Sequence, residues 1–189
     1  MEMFDIIDEN GTPTGLIKER GVVHREGALH ATSHIWIARE NNQSGYDILL
    51  QKRSSIKDSH PGCYDISSAG HIGAGDTPLN SGLRELQEEL GIHAQPEHLK
   101  EFGVQFKNFE GKFYGKPFRD CQRSILYLYT EPVDETTLTL QDSEIESVIW
   151  MDYKEALQAI CENTMKHCIY EEEFRKLGKA LGIEKQSID

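Results

Sequence analysis

The chain has 189 residues, 38% of them apolar, enough for one compact α/β core and too few for two full domains. Its 32 acidic against 20 basic side chains leave a formal net charge of −12; this argues against long nucleic acid as a partner, while a small phosphorylated ligand stays open because a divalent cation reverses the local sign of an acidic pocket. Cys63, Cys121, Cys161 and Cys168 form no CxxC pair, no apolar run reaches membrane-spanning length, and the start MEMFDIIDENG lacks signal-peptide regions, so a cytoplasmic protein with reduced thiols and no membrane partner is expected.

In chain order, FDIID, the turn-rich ENGTPTG and LIKERGVVH read as a β-ribbon. ATSHIWIA and YDILLQKR follow as two strands joined by the polar NNQSG, and the Pro61-Gly62 turn in HPGCYDISSAGH leads into a further short strand. A helix begins near Pro78, capped by Thr77 and ended by Gly91, with Leu79, Leu83, Leu86 and Leu90 as its buried stripe. Gly82, poor in a helix interior, predicts close approach of that helix to the sheet. KEFGVQF, RSILYLYT and IESVIWM are strands, GKFYGKPF is a turn-rich excursion, and YKEALQAICEN and YEEEFRKLGKALG are terminal helices. The pattern predicts a mixed α/β (α+β) architecture, a mixed sheet covered by helices with an N-terminal β-ribbon.

On the Thr77-capped helix Glu85, Glu88 and Glu89 share one face, because positions three and four apart align. Like charges at the negative end of a helix dipole repel one another. Two readings follow: a solvated acidic face, or oxygen ligands gathered for a hard divalent ion such as Mg²⁺ or Mn²⁺ that bridges to substrate phosphates.

The segment from Gly70 to Ile92 resembles the Nudix box, G-x5-E-x7-R-E-U-x-E-E-x-G-U, at Gly70, Arg84, Glu85, Leu86, Glu88, Glu89, Gly91 and Ile92. Asp76 stands where the box has glutamate and is one methylene shorter. The resemblance implies a Nudix α/β/α sandwich spanning residues 1–189 as one domain, with its core at about 30–153. It further implies a Mg²⁺ or Mn²⁺-dependent hydrolase of a small-molecule diphosphate, with Glu85, Glu88, Glu89 and the Gly70 carbonyl as metal ligands and Arg84 orienting the carboxylates. Glu88 and Glu89 then also serve catalysis. Glu144, with Glu146 beside it in QDSEIESV, is a candidate base, since Nudix enzymes place an acid there. Arg53, Lys57 and His71 are candidate substrate-binding residues, with Lys52 and Arg123 as further phosphate contacts. Tyr64, Phe113, Tyr114 and Phe118 are candidates to stack on a base.

GTPTGLIKERGVVHREGALH, LLQKRSSIKDSHPGCYDISSAGH and SEIESVIWMD are similar to the subgroup related to isopentenyl-diphosphate isomerase. His24, His30 and His71 resemble the histidines with which those isomerases hold a metal. Ala69 occupies the place of their catalytic cysteine, Cys63 lies across YDISSA from it, and Gln122 aligns with their catalytic acid next to Asp120. Isomerisation needs a pair that protonates one face of an alkene and deprotonates the other, so hydrolysis is the leading reading, with isomerase or a non-catalytic ligand sensor as alternatives. His34, beside Trp36, reads as structural; His60, His93, His98 and His167 receive no role. A homodimer is a further possibility, dimers being common among soluble enzymes.

Overall fold

The computed structural model describes residues 2–43, 45–57, 59–113 and 116–184; Tyr114 and the side chain of Phe113 lie outside the described residues. The elements run β1 (Met3–Ile7), β2 (Pro13–Glu19), α1 (Arg20–Glu26), β3 (His30–Glu40), β4 (Tyr46–Arg53), β5 (Tyr64–Asp65) and β6 (Ser68–His71). They continue through α2 (Pro78–Leu90), β7 (Lys100–Phe113), β8 (Lys116–Tyr129), β9 (Ile145–Asp152), α3 (Tyr153–Cys161) and α4 (Glu171–Ala180).

A mixed sheet follows the order β5-β4-β3-β8-β7, with β6 also on β3 and β9 on β4. The central strand β3 runs parallel to β8 from His30↔Gln122 to Ile37↔Tyr129. On its other edge it pairs antiparallel with β6 from Thr32↔His71 to Ile35↔Ser68, then with β4 from Ala38↔Ile48 to Glu40↔Tyr46. Alternation along these strands divides the apolar side chains between two cores. Ile35, Ile37 and Leu49 pack with Leu86 and Leu90 of α2. Trp36, Ala38, Ile48 and Leu50 pack with Ala156 and Ile160 of α3 and with Phe174 and Leu177 of α4. Full burial of one such side chain contributes about 1.5–3 kcal/mol.

The second helix is punctuated as its residues dictate. Thr77 Oγ1 accepts from Asn80 N at 3.2 Å, Pro78 occupies the first turn, and Gly91 takes φ 73°. The amide of Gly91 then closes onto the carbonyl of Gln87, the 5→1 bond of an αL helix end, and that of Ile92 onto the carbonyl of Leu86. A Cβ on Gly82 would lie 2.8 Å from Ser33 Oγ of β3, which is the close approach that its presence predicted.

Two local expectations are corrected. The N-terminal ribbon forms from β1 and β2, but GVVH does not extend it: residues 20–26 are helical and end at Gly27 with φ 69°. Val23 buries completely there, so packing overrides the strand preference of its β-branched side chain. Of the GKFYGKPF stretch, residues 111–113 and 116–118 continue β7 and β8, which pair out to Phe113↔Lys116; the two residues between them lie outside the described residues.

Candidate active site

The carboxylates of α2 meet the chain around β6. Glu89 is 5% exposed; its Oε2 accepts from Ser68 Oγ at 2.6 Å and from Ala69 N at 3.2 Å. Glu85 lies so close to Gly70 that a Cβ there would overlap its carboxyl group, so glycine is what allows carboxylate and backbone to approach. Glu88 is the outermost of the three, with its side chain 55% exposed. Burial is the largest influence on both inner acids: it raises Glu85 above the ordinary carboxylate range and pushes Glu89 up to about 8, with Glu85 as an added repulsion on Glu89.

Arg84 links the site to the helix N-terminus. Its Nη1 donates to Asp76 Oδ2 at 3.1 Å, and its Nη2 donates to Glu85 Oε1 at 3.0 Å and to the His71 carbonyl at 3.3 Å. The shorter Asp76 therefore reaches Arg84, while also accepting from Ser81 Oγ and Thr77 N, each at 2.8 Å. Burial raises the Asp76 pKa, but the bonds from Ser81 and Thr77 and the Arg84 charge outweigh it and hold the group below its usual value.

Beside β6 a second cluster gathers residues from three elements. His24 comes from α1, His30 from β3 and His71 from β6, and one ring nitrogen of each lies within 4.8 Å of the others. Asp120 Oδ1 of β8 lies 3.8 Å from Nε2 of both His24 and His30. These Nε2 atoms, that of His71 and Asp120 Oδ1 are all buried without a hydrogen-bond partner, a costly arrangement for polar atoms in a protein. Burial first, then neighbouring histidine charge, lowers His24 to about 4 and takes His71 well below its ordinary value; burial lowers His30 too. Neutral imidazoles with unsatisfied nitrogens fit a bound cation. Between His24 and His30 the helix α1 ends at Gly27 and the chain enters β3.

Both groups open onto one cleft of about 300 Å³. Arg53, Lys57 and Glu144 line it, though each is engaged. Arg53 donates to Asp65 Oδ2 at 3.0 Å and to the carbonyl and hydroxyl of Ser59, and Lys57 is ion-paired with Glu144. His71 belongs to the histidine cluster, its ring stacked 4.7 Å from Phe4. Phe118 borders the cleft against His24. Glu146 pairs with Lys52 at 2.6 Å, and neither residue, nor Tyr64 or Arg123, borders the cleft. The lining also includes His34 and Glu173, which sequence reasoning missed: nothing in the linear pattern places α4 over β3.

Residues 28–171 match the family model of the NUDIX domain. The chain belongs to the Nudix family. Among Nudix relatives, it is 42% identical to Nudix hydrolase 3 of Arabidopsis thaliana over 159 residues, 82% of this chain but 20% of that longer protein. It is 35% identical to an uncharacterized Nudix hydrolase of Clostridium acetobutylicum over 155 residues, 82% of this chain and 71% of the other. An isopentenyl-diphosphate Delta-isomerase of Photobacterium profundum shares 35% identity over 91 residues, 48% of this chain and 49% of the isomerase. A Deinococcus radiodurans crystal structure superposes with a TM-score of 0.67 at 17% identity, covering 93% of this chain and 98% of the other. The NUDIX domain of Shewanella oneidensis NrtR in complex with ADP ribose gives 0.59 at 15% identity, covering 80% and 87%. At those identities the structural likeness is one of fold. With the Nudix family comes the class of reaction, hydrolysis of a pyrophosphate bond.

Proposed function

We propose that this Nudix domain, acting as one unit, is a Mg²⁺ or Mn²⁺-dependent hydrolase of a small-molecule diphosphate, such as a nucleoside diphosphate derivative or an organic diphosphate. One observation carries the reading: Glu89, 5% exposed, stands beside Glu85 at a glycine backbone, with its pKa pushed up to about 8 by burial. A desolvated carboxylate next to a second one favours a cation over either charge alone. Glu85, Glu88, Glu89 and the Gly70 carbonyl would hold the ion. When bound, such an ion neutralises charge on diphosphate oxygens and lowers the pKa of water. Arg84 fixes Glu85, and Ser68 with the Ala69 amide fixes Glu89; Lys57 and Arg53 contribute positive charge to the cleft wall. The ADP ribose bound by the Shewanella domain makes ADP-ribose a natural member of a test panel.

The test is a phosphate-release screen over nucleotides, nucleotide sugars, coenzyme A and isoprenoid diphosphates, with and without Mg²⁺ or Mn²⁺. Turnover should require the metal, and Glu89→Gln should remove at least about 100-fold of it with little change in melting temperature. Metal-independent turnover, or full activity in the variant, defeats the assignment.

The histidine cluster favours a second reading, isopentenyl-diphosphate isomerase activity, since His24, His30, His71 and Asp120 fit a metal as that subgroup's histidines do. Ala69 on β6 offers no thiol, and Cys63 does not border the cleft. Incubation with isopentenyl diphosphate should therefore yield no dimethylallyl isomer. Metal binding without turnover across the panel would instead indicate a ligand sensor.

A further inference from the structure

Glu173 of α4 is 2% exposed, and its carboxylate is held by two side chains of β3. Trp36 Nε1 donates to Oε1 at 2.9 Å, and His34 Nδ1 lies 3.0 Å from Oε1 and 3.2 Å from Oε2. A carboxylate only accepts, so the proton of neutral His34 sits on Nδ1 and its Nε2 keeps a lone pair. Among the described residues no group bonds that nitrogen. It is not one of the sealed, partnerless atoms that the neighbouring histidines carry, and His34 borders the cleft. Glu173, itself held by Trp36, thus fixes the ring orientation of a histidine that lines the cleft.

The placement suits hydrolysis. His34 stands directly across from Ala69 in the β3–β6 ladder, and the Ala69 amide donates to Glu89. One cross-strand pair thus links His34 to the backbone amide that holds Glu89. Two other candidate acceptors are engaged, Glu144 by Lys57 and Oε2 of Glu89 by Ser68 and Ala69.

We propose that His34 is the proton acceptor for the attacking water and that Glu173, supported by Trp36, is its positioning residue. In the step, the water oxygen forms its bond to phosphorus while the anhydride P–O bond breaks, its electron pair leaving on the departing phosphate. The water proton passes to His34 Nε2 and then to solvent. The arrangement of carboxylate, imidazole and free acceptor nitrogen is the one by which a base is oriented in hydrolytic enzymes generally.

This inference rests on the hydrolase reading, and two measurements separate their fates. The first needs no turnover: ¹⁵N NMR of the histidine rings in the intact chain at neutral pH should show His34 protonated on Nδ1 alone, and Glu173→Gln should shift that preference. A proton on Nε2 in the wild type overturns the proposal. The second uses ADP-ribose, ADP and isopentenyl diphosphate with Mg²⁺. His34→Ala should lower kcat about 100-fold with KM nearly unchanged, and added imidazole should restore part of the loss. A His34→Ala protein with full kcat, or a folded one whose loss imidazole does not relieve, overturns the proposal. Should the wild type turn over none of the three, the hydrolase reading is what suffers, and the tautomer alone decides the orientation of His34.

Discussion

Arg53 illustrates how a side chain facing a substrate cleft can be committed to the fold. Its guanidinium is tied to Asp65 at 3.0 Å, with the side chains 16% and 17% exposed. Burial raises the Asp65 pKa, but the Arg53 charge and the Ile66 amide outweigh it, so the carboxyl sits below its reference value of 3.8. A depressed carboxylate contributes stability that is present above the unfolded pKa and is lost as pH falls through the folded one. Asp65→Asn should therefore lower stability at pH 7 by about 3 kcal/mol, because it leaves Arg53 buried and uncompensated. That penalty should persist down to the reference pKa and shrink only below it, as measured by thermal melts of both proteins across an acid series. The position of Asp76 was legible in the sequence as a departure from the family pattern, yet its adequacy was not. Its contacts with Arg84, Ser81 and Thr77 depend on how the loop before α2 folds, and spacing does not report that.

At the level of elements, α2 was the most readable part of the chain because every signal agreed: cap, proline, leucine stripe and terminal glycine. Its contact with the sheet yields a further prediction. Alanine is the better helix former by about 1 kcal/mol, but at Gly82 its Cβ would approach Ser33 Oγ to 2.8 Å. Gly82→Ala should therefore destabilise the protein by about 1–3 kcal/mol, read as a lower denaturation midpoint. It should also weaken turnover, since the same helix carries the three glutamates; a neutral outcome would mean that the helix shifts freely. The short α1 was misread as strand because seven residues give helical periodicity too little length to show. What makes it helical is the complete burial of Val23 and the left-handed end at Gly27, the first an effect of the surrounding fold.

At the scale of the molecule, β6 stands between two candidate cation sites of different chemistry, carboxylates of α2 beside it and histidines with Asp120 alongside. Oxygen ligands suit Mg²⁺ or Mn²⁺, whereas imidazoles suit Zn²⁺ or Co²⁺. Titration of the metal-stripped protein with Co²⁺, followed by its visible absorption bands, should reveal a histidine-type site that His30→Ala removes and Glu89→Gln leaves in place. If both variants keep the band, the histidine cluster is not the site. No helix among the described residues is long and apolar enough to cross a membrane, and Cys63, Cys121, Cys161 and Cys168 form no disulfide in this structure. By itself the sequence determined what depends on neighbours along the chain: the box, its helix, the strand alternation and the family, because dihedral preference and periodic burial act over a few residues. Only the tertiary structure decided which distant groups meet. The union of His24, His30, His71 and Asp120, the pairing of Glu144 with Lys57, and the reach of Glu173 across 139 positions to His34 all arise from strand order and helix docking, which bring residues together that no local pattern connects.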